Sequence, residues 1–305
     1  MNIKDKNHHG EILVSIGEYD VINCEICGYA HVMPLPTTED INSFYGKDYY
    51  ETIKPEMLSN YEKSLDWFNQ MYDDRFEIFE ENTTMPGKVL DIGAGAGYFL
   101  KRAKERNWEY VGVEASRAAC KYAQEYNKVT IINDFIENVS VSDVGQFDAI
   151  NISEVLEHVI DPIEILKNCY NLLKDDGVLF LMVPNEFNQL QLANNEINPE
   201  SSNYWVVPDH HYNYFNFDSI NNVLEKANFK SFKTEVSFPI EFSLLAGVNY
   251  VEDRDKGKIS HGYVKQLELN LVNNGYRSLK RELYESMAKI GLGRDLMVYS
   301  KKVVD

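Results

Sequence analysis

Three groups of residues in this chain have the types and spacing to do chemistry. The first is "SEVLEHV", which brings Glu154, Glu157 and His158 together, with His210 and His211 further on in "DHHYNYF". An imidazole titrates near neutral pH, so His158, His210 and His211 are each candidates for a general base acting on a weakly acidic group such as a sugar hydroxyl. Spacing does not choose between the adjacent pair. Each also has an ordinary place as a solvated or packed side chain.

The second group is "KVLDIGAGAGYFLKRA". Gly93, Gly95 and Gly97 form a G-x-G-x-G turn, with Asp91 just before it and Glu114 ending the next apolar run, "YVGVE". A dinucleotide-binding turn carries G-x-G-x-x-G, and Tyr98 stands where its third glycine would be. A carboxylate at the position of Glu114 can accept from both ribose hydroxyls of a nucleoside. Paired acids suit a cationic ligand and suit a pyrophosphate poorly.

The third group is Cys24, Cys27 and His31, spaced C-x2-C-x3-H in "CEICGYAH". A structural zinc ion takes four ligands. The chain has no second cysteine pair, since Cys120 and Cys169 stand alone between apolar neighbours; His8 or His9 could contribute, but both lie in a tail-like start. Cys24 and Cys27 are the candidates for zinc. The expectation is a hairpin that keeps the shape of a zinc knuckle without the ion. A disulfide framework is not expected.

These residues need elements to position them. Residues 11–36 read as short strands ended by two prolines, and a helical pattern runs from about Pro55 to Glu81. From Lys88, strands ("KVLDI", "YVGVE", "VTIIN", "FDAINIS", "GVLFLMVPN") alternate with helices, one opening on Ser116 and one on Asp161-Pro162. Such alternation predicts an α/β fold, a doubly wound parallel sheet with helices on both faces. After Asn185 comes a long polar and aromatic connection reaching Phe215, and such connections are usually functional. "DSINNVLEKANF" reads as a helix and "FKSFKTEVSF" as a strand. Residues 239–293 form an insertion of two helices split at Asn273 to Gly275, ahead of a last strand, "RDLMVYSKKV". The division expected is an N-terminal cap over 1–50 and a main domain over 51–305, with insertions at about 186–215 and 239–293.

The formal charge of −18 over 305 residues disfavours nucleic-acid backbones and anionic lipid surfaces. No apolar run approaches the roughly 20 residues of a membrane span, and the start lacks the apolar core of a secretion signal. A cytoplasmic protein without nucleic-acid or membrane partners is expected.

"VLDIGAGAGYFL", "YVGVEAS", "NDFIEN", "FDAINISEVLEHVIDP" and "GVLFLMVPN" stand in the order and spacing of the class I S-adenosylmethionine-dependent methyltransferases, which the chain resembles from about Lys88 to Phe238. The resemblance implies that the Gly93–Gly97 loop, with Asp91 and Ala94, lies under the methionine part of the cofactor. It implies that Glu114 and Ala115 lie at the ribose, Asp134 and Phe135 beside the adenine, and Ser153 and Glu154 below the sulfonium. It also implies an antiparallel strand, for which "RDLMVYSKK" is suited. The ends are similar to a bacterial branch of the family with an N-terminal C-x-x-C hairpin.

The E-x-x-E-H spacing also resembles two metal-assisted O-methyltransferase families, one acting in ubiquinone synthesis and one on small RNAs. That likeness implies Glu154, Glu157, His158 and either His210 or His211 as ligands of Mg²⁺, Mn²⁺ or Zn²⁺. The same segment occurs across the fold with structural roles. The implied reaction moves a methyl group from S-adenosylmethionine, leaving S-adenosylhomocysteine, to a hydroxyl of a sugar or other small polar metabolite. A metal-assisted O-methyltransferase of a quinol or catechol-like ring is the alternative. From other classes, an NAD-dependent oxidoreductase and a non-catalytic nucleoside-binding module remain. Tyr45, Tyr49, Tyr50, Tyr204, Trp205, Tyr212 and Tyr214 are candidates to stack on a ligand or to pack as core, and the C-terminal helices are a possible homodimer face.

Overall fold

The computed structural model describes residues 7–37 and 61–304. Tyr45, Tyr49, Tyr50 and the start of the helical pattern at Pro55 lie outside the described residues.

Apolar strand-length runs assemble the main sheet. Strands β4 (Lys88–Ile92), β5 (Glu109–Val113), β6 (Phe147–Ser153) and β7 (Leu173–Pro184) are parallel, and β9 (Phe229–Val236) and β10 (Asp295–Lys302) complete the order β5-β4-β6-β7-β10-β9. β10 runs antiparallel to both of its neighbours, as expected for the last strand. Register aligns the carboxyl ends: Asp91 lies opposite Gly112 and Asn151, and Ser153 opposite Met182. Ligands of open α/β sheets bind at this edge.

Between the strands run α2 (Tyr98–Glu105), α3 (Arg117–Tyr122), the short α4 (Val141–Val144) and α5 (Pro162–Leu172), preceded by α1 (Leu65–Asn82). Local chemistry sets their starts. The Ser116 hydroxyl accepts from the Ala119 amide, and Asp161 accepts from those of Ile163 and Glu164, ahead of Pro162. In α1 the buried side chains include Tyr72, Arg75, Phe76 and Phe79, a three-and-four spacing that presses one face on the sheet.

Two expectations change. "VTIIN" does not form a strand: only Ile132 bridges to Val113, and the Asn133 side chain then turns back to donate to the carbonyls of Glu114 and Ala115. The long connection after Asn185 is largely structured. It holds α6 (Gln189–Ile197), opened by a reciprocal Asn188–Gln191 cap, and β8 (Asn213–Tyr214). Its Asn- and Gln-rich composition hides that cap in a polar run.

β8 joins β1 (Gly10–Ile16), β2 (Tyr19–Cys24) and β3 (Tyr29–Met33) in an antiparallel sheet ordered β1-β2-β3-β8. Trp205, Tyr212 and Tyr214 are buried with Val21, Ala30 and Val32 in its core, so they pack rather than present faces to a ligand. Burial lowers the His31 pKa to about 4, which keeps that ring neutral. After α7 (Phe217–Lys226) and α8 (Glu241–Leu245), the helices α9 (Arg254–Asn273) and α10 (Arg277–Lys289) meet at Asn274 and Gly275, the latter at φ +84°. Among the described residues, no helix is long and apolar enough to cross a membrane.

Candidate active site

One cavity of about 1060 Å³ opens at the carboxyl edge of the main sheet. Its wall takes in Asp91, Gly93, Ala94, Gly95, Glu114, Ala115, Asp134, Phe135, Ser153 and Glu154 at one end. Glu157, His158, His210 and His211 also belong to it. Gly97 lies outside this wall. It opens α2 at φ +76°, and a Cβ there would meet Val129 Cγ2 at 2.5 Å, so its role is backbone and packing.

The glycine turn is tied to Glu114. The amide of Gly95 donates to Glu114 Oε2 at 2.9 Å, and that of Ser116 donates to Oε1 at 2.7 Å. A carboxylate has about four acceptor sites, so capacity remains for ligand hydroxyls. Burial raises the Glu114 pKa against these two amides, which lower it. Asp134 accepts from the Phe135 amide at 2.8 Å and from the Asn138 side chain at 2.6 Å, which fixes the loop that sets Phe135 in the wall. A backbone hollow, a nearby carboxylate and an aromatic face fit a nucleoside bearing a cationic centre. Glu114→Ala is expected to weaken S-adenosylhomocysteine binding by about 1.5–3 kcal/mol, the worth of a charge-assisted hydrogen bond. Calorimetric titration checks this, and unchanged affinity would place the ribose elsewhere.

Beneath the turn lies a buried polar chain. Arg75 Nη1 donates to Asn151 Oδ1 at 2.5 Å and to Ser153 Oγ at 3.0 Å, and Asn151 Nδ2 donates to Asp91 Oδ1 at 2.5 Å. The guanidinium sits 3.7 Å from the Phe180 ring centroid. Burial pushes the Asp91 pKa up to about 7, although Asn151 and Arg75 pull it down. Unfolding returns it to the ordinary range near 4. The folded chain therefore holds this proton longer, and the stability it contributes is complete below about 4 and lost as pH rises through about 7. A cationic ligand favours the ionised form. Binding S-adenosylmethionine is expected to release a proton at pH values just below about 7 and almost none well above it. Titration in buffers of different ionisation enthalpy measures this, and Asp91→Asn should abolish the release.

Past Ser153, Glu154 leaves β6 with φ +54°, its amide on the Met182 carbonyl at 2.8 Å. This left-handed residue turns the chain into a short 3-10 segment, Leu156–His158. Glu157 is buried, its Oε2 meets no hydrogen-bond partner among the described residues, and burial with Glu154 and Glu186 nearby raises its pKa well above its ordinary value. The His158 Nδ1–H donates to the His210 carbonyl at 2.6 Å, while Nε2 faces Glu157 Oε1 at 3.9 Å. The His211 Nδ1 lies 3.4 Å from Glu186 Oε1, and the His158 and His211 rings are 5.0 Å apart. Donor atoms of Glu157, His158 and His211 lie within 4.8 Å of one another, while Glu154 and His210 stand outside that group.

Sequence reasoning passed over Arg75, Asn151 and Glu186. The helical spacing of Tyr72, Arg75, Phe76 and Phe79 marks Arg75 as inward-facing, and a buried arginine needs partners. Glu186 carried no such signal, because its partner is distant in sequence. His261, Lys265 and Arg294 also line the cavity.

A family model described as a methyltransferase domain matches residues 66–233. The ubiquinone biosynthesis O-methyltransferase of Actinobacillus pleuropneumoniae serotype 7 (strain AP76) is 36% identical over 107 residues, 32% of this chain and 46% of that protein. The corresponding protein of Histophilus somni (strain 2336) is 26% identical over 157 residues, 44% of this chain and 66% of that protein. The chain thus spans about half the length of the first curated relatives it matches. The crystal structure of the Burkholderia thailandensis 1,6-didemethyltoxoflavin-N1-methyltransferase, with bound 1,6-didemethyltoxoflavin and S-adenosylhomocysteine, shares the fold. Its TM-score is 0.51 at 14% identity, covering 97% of this chain and 100% of that one. With the matched segment taking in the glycine turn, Glu114 and the Glu157–His211 cluster, the chain belongs to the S-adenosylmethionine-dependent methyltransferases.

Proposed function

We propose that this protein methylates a hydroxyl oxygen of a small polar acceptor, a sugar derivative or similar metabolite, with His211 as general base and Glu186 as the carboxylate that positions it. The observation that supports this most is the single cavity joining the glycine turn to the histidine cluster. Donor and acceptor held in one cavity gain the advantage of proximity. S-adenosylmethionine, when bound, supplies an electrophilic methyl group with a good leaving group, so the protein has chiefly to align and deprotonate the acceptor.

Gly93, Gly95, Glu114, Asp134 and Phe135 would hold the donor, and Asp91 and Glu154 would supply negative charge facing its cation. Glu186, as acceptor, keeps the proton of His211 on Nδ1, which makes Nε2 the basic atom. His261, Lys265 and Arg294 add polar and cationic groups to the wall, in keeping with a polar acceptor. Labelled methyl transfer from S-adenosylmethionine to a panel of hydroxylated acceptors tests the reading. Label found only on nitrogen or sulfur acceptors would contradict it.

A second reading has its own support. Glu157 Oε2, without a hydrogen-bond partner among the described residues, and the close donors of Glu157, His158 and His211 form a three-ligand set for a divalent ion. Such an ion would lower the pKa of a substrate hydroxyl; the curated relatives are named as O-methyltransferases of ubiquinone biosynthesis, and the acceptor on this reading is a quinol or catechol-like ring. On this reading chelation abolishes turnover and added Mg²⁺, Mn²⁺ or Zn²⁺ restores it. With His211 as base, chelation leaves the chemical step intact.

A further inference from the structure

We propose that His8, Cys24, Cys27 and His31 bind a structural zinc ion that pins the N-terminal sheet and, through it, the strand beside the active-site histidines. Spacing supplies three donors, and of His8 and His9 the fold selects His8 as the fourth. One donor atom from each residue lies within 4.8 Å of all the others. None of the four belongs to the active-site cavity wall.

The distances match a tetrahedron. Zinc–sulfur and zinc–nitrogen bonds of roughly 2.3 and 2.05 Å give ligand-to-ligand edges of about 3.6 Å for S···N and about 3.3 Å for N···N. His8 Nδ1 lies 3.5 Å from Cys24 Sγ, 3.5 Å from Cys27 Sγ and 3.1 Å from His31 Nε2. The His31 Nδ1 faces the Val32 carbonyl at 2.9 Å. A carbonyl only accepts, so Nδ1 carries the proton and Nε2 presents its lone pair to the cluster. Such an outer hydrogen bond commonly orients a metal-binding imidazole. The Cys27 amide approaches Cys24 Sγ at 3.5 Å, suited to stabilising a thiolate, and Gly28 follows at φ +77° to complete the turn. Two thiolates and two imidazoles in a tetrahedral set select zinc among the common ions.

The knuckle is anchored to the main domain. Lys226 Nζ donates to the Cys27 carbonyl at 2.6 Å, and Asn222 Nδ2 to that of Gly28 at 3.1 Å. His31 lies opposite Asn213 in the β3–β8 pair, and the Asn213 side chain donates to the carbonyls of Leu156 and Val159 at 2.9 and 2.7 Å. The Tyr212 amide donates to the Glu157 carbonyl at 2.7 Å. A zinc ion would thus close a loop from His8 to His31 and stiffen the strand that follows His211.

Metal analysis of the full chain, purified under reducing conditions, tests this without reference to any acceptor. The expected result is one zinc per chain, lost in Cys24→Ser and His8→Ala and kept in His158→Ala and His211→Ala. Retention in the last two separates this site from an active-site metal. Should the cysteine variant fail to fold, cobalt loading of the wild type should give the visible bands of a tetrahedral S2N2 centre. Stripping the zinc should lower the unfolding temperature, and adding it back should restore it. Three results would overturn the proposal: a zinc-loaded sample that stays metal-free with both thiols open to modification, a Cys24–Cys27 disulfide in the reduced preparation, or zinc that follows His211 rather than Cys24.

Discussion

His211→Ala lowers turnover by about 10²- to 10⁴-fold, the usual contribution of a positioned general base. Its affinity for S-adenosylhomocysteine stays within about twofold, because a group that acts only on the acceptor adds nothing to donor binding. The expectation rests on the Glu186–His211 pair. Glu186 is buried and its Oε1 stands 3.4 Å from His211 Nδ1, so the ring has one preferred tautomer. Glu186→Gln should lower turnover less than His211→Ala, since the amide can still accept at Nδ1 but brings no negative charge. Single-turnover kinetics with labelled donor separate the chemical step from binding. Near-normal turnover in His211→Ala, with collapse in His158→Ala, would pass the role to His158.

Arg75→Met destabilises the fold by about 3–5 kcal/mol, the range seen when one member of a buried charged network is removed. Two hydrogen bonds, to Asn151 and Ser153, lose their donor, and the contact with the Phe180 face goes with it. Methionine fills part of the volume but cannot donate, so the Asn151 oxygen is left buried without that partner. Arg75→Lys should recover only part of the loss, because one ammonium cannot reproduce the planar fork. The denaturation midpoint of each variant measures the cost. Without the cation near it, Asp91 should ionise at a still higher pH, and the proton released on donor binding should shift upward with it.

The main sheet was legible because its strands are apolar runs of the right length and its helices carry caps in the chain itself, at Ser116 and Asp161. The donor end was legible for a related reason. The glycine turn, Asp91 and Glu114 sit at the ends of adjacent strands, so sequence order and spatial order agree. The acceptor end was legible only in part. His158 and His211 could be named, but Glu186 becomes the neighbour of His211 only through the Asn185–Phe215 bridge and its own amide on the Phe215 carbonyl. Gly97 shares the spacing of Gly93 and Gly95 but faces Val129, a distinction of direction that spacing cannot carry. The aromatic residues Trp205, Tyr212 and Tyr214 were ambiguous because packing and stacking demand the same side chains. His8 and His9 could both be named beside the cysteines, but they lie in a polar stretch without periodicity, and only the fold, with β1 paired to β2, sets His8 rather than His9 at the cluster.

The hollow bounded by the glycine turn, Glu114 and Phe135 is claimed here for a nucleoside carrying a cationic sulfur donor. Calorimetric titration of the wild-type chain with S-adenosylhomocysteine and, separately, with NAD tests that claim most directly. Saturable binding of the first with no heat from the second is the expected result. Saturable binding of NAD, with none of S-adenosylhomocysteine, would contradict it.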